Sequence, residues 1–215
     1  MIVCACDLAT DEGRAKLWAA VDAEGVTANV LINNAGLGDY GALVDADAAR
    51  IRTQIDLNIT AVTMLAYEFA RRFRAAPRAV GGIINLSSLA ASLPMPGLAV
   101  YAASKSYVTS FSEALAIELS ALNVRVLAVC PGPTPTNFSK TARRTDGRDT
   151  DRAGQGFLRV TPAHVVATSL AALERGRTRH FPGWGVRVAA LLFETMPRFL
   201  LRLFLRLRWR RGMVE

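Results

Sequence analysis

Short apolar runs alternate with longer amphipathic stretches along the chain. The apolar runs resemble buried strands in length and composition, and they are Ile2–Cys6, Val30–Ile32, Gly82–Leu86 and Val124–Cys130. The amphipathic stretches carry apolar residues at helical spacing, and they are Asp11–Glu24, Asp45–Phe73 and Tyr101–Asn123. Strands that alternate with helices predict a mostly parallel sheet with helices on both faces. We therefore expect an α/β fold with a doubly wound sheet.

The composition fits one globular domain. The chain has 215 residues, of which 51% are hydrophobic, which is enough to bury a substantial core. The polar segment Ser139–Phe157 is rich in Arg, Asp and Gly and is expected to form a surface loop.

Cys4, Cys6 and Cys130 all fall in predicted strands. This low, odd number of cysteines, without a signal peptide, favours a reducing cytoplasm.

One set of hydroxyl, phenol and amine groups can support catalysis. Tyr101 and Lys105 are four residues apart, so on a helix they share a face and the ammonium can favour the phenolate. Ser88 follows the apolar run Gly82–Leu86, which puts its hydroxyl at the carboxyl end of a strand, where α/β sheets bind ligands. A phenol tuned in this way can act as acid or base near neutral pH. A Tyr-x-x-x-Lys pair alone is also common on solvated helices, so the interpretation depends on the neighbouring motifs.

Those neighbouring motifs make the chain resemble the short-chain dehydrogenase/reductase family. In chain order they are Asp7-Leu8, Asn33-Asn34-Ala35-Gly36, Asn58 within Leu57-Asn58-Ile59-Thr60, and Pro131-Gly132-Pro133-Thr134-Pro135-Thr136. The matches run from about Asp7 to about Gly183. The resemblance implies a Rossmann-like fold and hydride transfer between a nicotinamide cofactor and a small-molecule carbonyl or alcohol.

The resemblance also implies a role for individual residues. The implied catalytic tetrad is Asn58, Ser88, Tyr101 and Lys105. Tyr101 would exchange the proton with the substrate oxygen, and Ser88 would hydrogen-bond that oxygen. Lys105 would hold the nicotinamide ribose and acidify Tyr101, and Asn58 would anchor a water that relays protons to Lys105. Besides Tyr101 and Lys105, the implied cofactor contacts are Asp7 and Leu8 beside the adenine, Asn33, Ala35 and Gly36, and Pro131, Gly132, Thr134 and Thr136 over the nicotinamide.

The chain departs from the family pattern at its start. In the family a first strand, a glycine-rich phosphate-binding turn, a helix and a second strand precede the position of Asp7, whereas only Met1–Cys6 precede it here. That turn brings backbone N–H groups and a helix N-terminus to the pyrophosphate. We therefore expect an N-terminally shortened version of a longer reductase. The alternative is a catalytically silent fragment that cannot bind dinucleotide and acts as a partner subunit or has no function.

A second glycine-rich sequence looks like the missing turn. Residues Gly36-Leu37-Gly38-Asp39-Tyr40-Gly41 spell G-x-G-x-x-G after an apolar run, and Asp56 follows at a suitable distance. However, Asp45 and Asp47 are good helix caps and place the next helix after the third glycine, with Asp56 inside it. We interpret the sequence as a mobile glycine-rich loop beside the substrate cleft.

The net charge of +8 has two main sources. One is the polar segment at residues 139–157, which the resemblance makes a mobile substrate lid and which carries Lys140, Arg143, Arg144, Arg148 and Arg152. The other is the chain end, where Arg198, Arg202, Arg206 and Arg210 alternate with Phe199, Leu200, Leu203, Phe204 and Leu207. This second pattern predicts a basic amphipathic helix that suits an anionic membrane surface, the domain itself or a second subunit. No nucleic-acid-binding module accompanies the charge.

We predict two parts of the chain: a shortened Rossmann-type domain at residues 1–185 and a basic helical tail at residues 186–215. Val129–Thr134 and the Pro197-Arg198 pair before the basic tail resemble the DltE-type branch, which is related to ketoacyl reductases. That branch implies a hydrophobic substrate and favours NADP(H) over NAD(H). The family resemblance further implies a homo-oligomer and a cytoplasmic location, with peripheral membrane contact through the tail as an additional hypothesis.

Overall fold

A parallel β-sheet forms the centre of the protein. The computed structural model describes residues 1–76, 80–144 and 156–211, and within them four strands follow one another across the sheet in chain order. The strands are β1 (Val30–Asn33), β2 (Gly81–Leu86), β3 (Val124–Val129) and β4 (Arg179–His180). Strands β2 and β3 pair along their whole length, from Gly81 opposite Val124 to Leu86 opposite Val129. The expected Rossmann-like α/β fold is confirmed.

Helices connect the strands and cover the sheet. They are α1 (Asp11–Ala23), α2 (Ala48–Ile55), α3 (Val62–Ala75), α4 (Ala99–Glu118), α5 (Phe138–Ala142), α6 (Pro162–Glu174), α7 (Trp184–Thr195) and α8 (Arg198–Arg211). Several begin where the sequence supplies a cap: the Asp47 carboxylate accepts the Ala49 N–H at 3.2 Å, and the Thr161 hydroxyl accepts the His164 N–H at 3.3 Å. Helix α2 therefore begins after the third glycine of the glycine-rich sequence, as predicted.

The sheet buries a hydrophobic cluster on each face. Alternating residues of β2 and β3 point in opposite directions, as the period of a strand requires. Ile84, Leu127 and Val129 pack with α6 and α7, whereas Ile83, Val124 and Val126 pack with α3 and the C-terminal part of α4. The two clusters hold helices on both faces and leave the ends of the strands free to carry side chains.

The first predicted strand is wrong. Residues 1–7 have no regular structure, and Ile2 and Val3 are exposed. This segment lies against α1 and is not part of the sheet. The ammonium of Lys16, a residue of α1, donates to the Ala5 carbonyl at 3.0 Å. The assignment of Cys4 and Cys6 to a strand is therefore wrong as well.

Other differences concern short or peripheral elements. The two-residue strand β4 was not predicted, since a strand of this length carries no periodic signal. Of the predicted lid, Ser139–Ala142 belong to α5, while residues 145–155 lie outside the described residues. In the predicted tail, Ala189 and Ala190 of α7 are part of the sheet's hydrophobic cluster, and α8 follows. The division of the chain at residue 185 stays a prediction.

Candidate active site

The candidate catalytic residues meet at the carboxyl end of β2. Lys105, on α4, is only 4% exposed, and its ammonium donates to the carbonyl of Leu86, the last residue of β2, at 2.7 Å. The Ser87 hydroxyl donates to the Lys105 carbonyl at 2.8 Å, so the helix is fixed to the end of the strand at two points. Ser88 follows and caps a short 3₁₀ turn, Leu89–Ser92. The strand end and α4 together position the amine, the phenol and the hydroxyl.

Tyr101 is held in its protonated form. The residue is half-buried, and burial raises the pKa of its hydroxyl to about 12, although a hydrogen bond with Ser88 acts in the opposite direction. The Lys105 ammonium lies 5.7 Å from the centre of the Tyr101 ring. In this structure burial therefore has the larger effect, and the pKa of Tyr101 changes in the opposite direction to the acidification that the resemblance implies. The phenol is a proton donor at neutral pH.

Lys105 combines burial with spare hydrogen-bonding capacity. Burial lowers the pKa of its amine to about 8, so the group is mostly charged at neutral pH and loses its charge in mildly alkaline solution. An ammonium carries three N–H donors, and within the described residues only the Leu86 carbonyl accepts one of them. Gly36 lies beside the amine, and a Cβ at this position would come within 3.3 Å of it. The glycine therefore keeps space next to a cation that can still donate to a ligand.

Asn58 lies on a turn of π-helix, Asp56–Ala61, between α2 and α3. Its side chain is fully buried, accepts the Leu37 N–H at 2.9 Å, and donates to the Leu37 carbonyl at 2.9 Å and to the Ser104 hydroxyl at 3.0 Å. A π-turn inserts an extra residue into a helix and changes the direction in which a side chain points. The amide thereby links the glycine-rich loop to α4, one residue before Lys105.

Two further features of the site were not predicted from the sequence. The ring of Phe138, the first residue of α5, packs against the ring of Tyr101 with 5.2 Å between their centres. Asp39 of the glycine-rich loop is 7% exposed and binds the guanidinium groups of Arg144 and Arg50. The two arginines connect this carboxylate with α5. Among the effects that lower the pKa of the Asp39 carboxyl, the hydrogen bonds from Arg144 are the largest. An aromatic wall is thus fastened beside the phenol.

Comparison with known proteins identifies the family. The sequence profile described as short chain dehydrogenase matches residues 1–147, which is more than half of the chain. The chain belongs to this family. It is 31% identical over 149 residues to a probable short-chain type dehydrogenase/reductase, VdlC, of Helicobacter pylori, and 35% identical over 152 residues to sepiapterin reductase of Rattus norvegicus. These matches cover 68% and 67% of the chain but 54% and 57% of the relatives, so the chain spans about half the length of the curated relatives it matches.

Solved structures of short-chain dehydrogenases share the fold. A short-chain dehydrogenase from Sphingobium yanoikuyae in complex with NADPH has a TM-score of 0.73 and 30% identity, over 86% of this chain and 70% of that one. A short chain dehydrogenase from Burkholderia cenocepacia in complex with NADP has a TM-score of 0.73 and 26% identity, over 95% and 80%. Family members with this fold therefore bind nicotinamide dinucleotides. The DltE-type branch stays a prediction.

The predicted cofactor residues after β1 differ in their surroundings. The Asn33 amide is buried and donates to the Asn85 side chain at 2.8 Å, so it joins β1 to β2 within the protein. Ala35 is exposed, and Gly36 lies beside Lys105 and Asn58. The short-chain dehydrogenase motif at this position therefore combines a structural asparagine with a glycine at the site.

The remaining predicted cofactor residues lie in two segments. Asp7 and Leu8 form the turn before α1, where the Asp7 carboxylate accepts the Ala9 N–H at 3.0 Å. Pro131, Gly132, Thr134 and Thr136 follow β3. A Cβ on Gly132 would come within 2.5 Å of the Leu158 carbonyl, so only glycine fits this close approach. The Thr134 hydroxyl donates to the Gly132 carbonyl at 3.0 Å, and the Thr136 hydroxyl accepts the Phe138 N–H at 3.3 Å, so the segment leads into α5.

Proposed function

We propose that the protein is an NAD(P)(H)-dependent oxidoreductase that interconverts a carbonyl and an alcohol, with Tyr101 as the acid/base. One observation carries this proposal: a phenol kept protonated by burial, with the Ser88 hydroxyl near enough to lower its pKa, lies one helical turn from a buried ammonium with donors to spare. This combination donates a proton to an oxygen and can stabilise the negative charge that remains on the phenol.

The residues around Lys105 fit a nicotinamide nucleotide. The amine has donors to spare and Gly36 leaves room beside it, which suits the two hydroxyl groups of a ribose. Lys105 would hold that ribose, and the segment from Pro131 to Thr136 would cover the nicotinamide. The cofactor supplies the hydride that the substrate carbon gains or loses. The chain's own side chains supply the proton.

The proton chemistry follows from the charges at the site. In reduction, Tyr101 donates its proton to the substrate oxygen, which Ser88 orients by a hydrogen bond. The Lys105 ammonium then stabilises the phenolate, and α4 holds both residues in place. The ammonium next gives a proton to the phenolate, which restores the phenol. Asn58 keeps the glycine-rich loop against α4 and, in this proposal, anchors the water that then returns a proton to the Lys105 amine. In oxidation the same residues work in reverse, and the Tyr101 phenolate accepts the proton of the alcohol.

We also propose the substrate class, the cofactor preference and the setting. The Phe138 ring beside Tyr101 favours a hydrophobic carbonyl compound. NADP(H) is proposed over NAD(H), in line with the cofactors bound to the Sphingobium and Burkholderia enzymes. Exposed apolar side chains on α3 and α4, such as Tyr67 and Ile117, suit a homo-oligomer. The free thiols of all three cysteines fit a reducing cytoplasm.

Cofactor binding is the first test. The purified chain is titrated with NADPH and with NADH, while fluorescence from Trp18, Trp184 and Trp209 and thermal unfolding are followed. Saturable quenching together with a rise in melting temperature supports the proposal, because a ligand that binds only the folded state stabilises it. Absence of both effects favours the alternative of a silent fragment.

Turnover is the second test. Hydrophobic ketones are screened with the preferred cofactor, and Tyr101→Phe serves as the matched variant because it removes only the hydroxyl. We expect this variant still to bind the cofactor and to lose turnover. Turnover retained in Tyr101→Phe would refute the role assigned to the phenol.

A further inference from the structure

Helix α8 presents an apolar stripe to solvent. Its members are Leu200, Leu203, Phe204 and Leu207, which occupy one face of the helix and are between 43% and 53% exposed. The preceding helix, α7, exposes Val188, Leu191 and Leu192 at the same kind of spacing. A run of large exposed side chains on consecutive helices is typical of a binding surface.

The opposite face of α8 is attached to the rest of the protein. Leu201 is 1% exposed, and Leu205, one turn later, is half-buried. One further turn along, the ring of Trp209 lies over Gly97, where an added Cβ would come within 3.1 Å of it. These contacts recur every four residues and fix the rotation of the helix. The apolar stripe is therefore held facing outward.

Exposed arginines without neutralising partners lie along α8. Arg206, Arg208 and Arg210 flank the apolar stripe, whereas Arg198 and Arg202 lie toward the attached side. Within the described part of the chain none of them has a carboxylate at ion-pair distance, and residues 198–211 contain no Asp or Glu. Arginines elsewhere behave differently, since Arg72 pairs with Glu68 and Arg179 pairs with Glu194. The surface of α8 thus combines exposed apolar groups with uncompensated positive charge.

We propose that α8 docks the protein on an anionic lipid bilayer and lies in the plane of the interface. The leucines and the phenylalanine would enter the boundary of the acyl chains, and the arginines would reach the lipid phosphates. A symmetric contact with a second copy fits less well, because it would bring two rows of arginine together. Within the described residues, none of the helices has the length and apolar character needed to cross a bilayer.

The docked helix adjoins the site. Gly97, which contacts Trp209, precedes Tyr101 by four residues, and its carbonyl accepts the Gly41 N–H of the glycine-rich loop at 2.9 Å. Docking would hold these two loops about one helix diameter, roughly 10 Å, from the interface, so that hydrophobic carbonyl compounds leaving the bilayer reach the site over a short path. This consequence for the substrate rests on the proposed function, whereas the docking itself does not.

Vesicle flotation with the full chain tests the docking. Vesicles of phosphatidylcholine alone are compared with vesicles that also contain phosphatidylglycerol, at low and high salt. We expect the protein to float with the anionic vesicles only, and to be released at high salt because the arginine contribution is screened. Two double variants should each reduce vesicle binding by about tenfold or more. Leu203→Glu/Phe204→Glu removes part of the apolar contribution, and Arg206→Gln/Arg210→Gln removes part of the charged contribution.

Two control variants make the same chemical changes elsewhere. Val166→Glu alters an exposed apolar residue of α6, and Arg175→Gln/Arg177→Gln removes two exposed charges after it. Both should float like the unchanged protein. All variants are first compared by circular dichroism melts and by NADPH titration, which the α8 substitutions should leave unchanged, so that a failure of docking is separated from a failure of the proposed function.

Two outcomes would overturn the proposal. One is absence of flotation with either kind of vesicle. The other is a change from oligomer to monomer in Leu203→Glu/Phe204→Glu without vesicle binding by the unchanged protein, which would make α8 a subunit interface.

Discussion

The guanidinium of Arg144 binds both oxygens of the Asp39 carboxylate, with Nε 2.9 Å from Oδ1 and Nη2 2.5 Å from Oδ2. Arg50 donates to the same carboxylate at 3.0 Å and to the Thr141 carbonyl at 2.5 Å. The glycine-rich loop and α5 are therefore fastened to each other by charge. Through α5, the same contacts hold the Phe138 ring against Tyr101.

Asp39→Asn should loosen this connection. The substitution keeps the size of the side chain but removes the charge that two arginines bind, and we expect a loss of about 1–3 kcal/mol in the free energy of unfolding. We also expect KM to rise more than kcat falls, because the aromatic wall moves while the tetrad stays in place. Urea unfolding and steady-state kinetics measure the two effects. The exposed Asp45→Asn is the control, and equal stability of the two variants would show that Asp39 does not fasten α5.

Phe138→Ala should change substrate selectivity. Removing the ring leaves Tyr101 in place but opens the space beside it. The ratio of kcat/KM for a bulky ketone to that for a small one should rise by about tenfold, which is the scale at which apolar pockets discriminate size. Competition between two such ketones measures the ratio directly. An unchanged ratio would place the substrate on another side of the phenol.

The burial of Lys105 should be visible in the pH dependence of stability. Its pKa is lowered to about 8 in the folded protein from an ordinary value of 10.5, so the unfolded chain binds more protons between these values. Folding is therefore penalised most below pH 8, and the penalty disappears as the pH rises toward 10.5. Relative to Lys105→Met, the free energy of unfolding of the unchanged protein should increase by on the order of 3 kcal/mol from pH 8 to pH 10.5.

Chemical unfolding at a series of pH values from neutral to alkaline measures this difference. Other groups, including Tyr101, titrate in both proteins and cancel in the comparison to first order. The difference in free energy of unfolding between the unchanged protein and Lys105→Met should be constant below pH 8 and increase above it. A difference that is independent of pH would mean that the amine is better solvated than the structure shows.

Local sequence patterns predicted the parts of the site that depend on neighbouring residues. The spacing of Tyr101 and Lys105 predicted that they lie on one helix. The apolar run before Ser88 predicted that this serine lies at the end of a strand. The direction of the Tyr101 pKa shift was missed, because burial depends on residues distant in sequence. The pairing of Asp39 with Arg144 spans 105 positions and leaves no periodic signal. The strand predicted at Ile2–Cys6 was wrong for a related reason, since apolar composition does not specify which surface a segment will contact.

Asn58→Ala should destabilise the site and the fold together. The amide satisfies both the N–H and the carbonyl of Leu37 and also the Ser104 hydroxyl, all inside the protein. Its removal leaves the buried Leu37 N–H without a partner, at a cost of roughly 2–3 kcal/mol in the free energy of unfolding. The Leu37 carbonyl still accepts the Gln54 amide, and the Ser104 hydroxyl still donates to the Tyr101 carbonyl. Ser104→Ala removes one of the three bonds and should cost about 1 kcal/mol. Thr53→Ala, on the exposed face of α2, is the control and should have almost no effect.

Urea unfolding orders these three variants, and NADPH titration then separates the two roles of Asn58. If the amide only supports the fold, Asn58→Ala should bind NADPH as well as Ser104→Ala does at a temperature where both are folded. If it also positions Gly36 beside Lys105, as the contacts of the glycine-rich loop indicate, the affinity should fall in Asn58→Ala alone. We expect the second result, because the loop that Asn58 holds borders the amine assigned to the ribose.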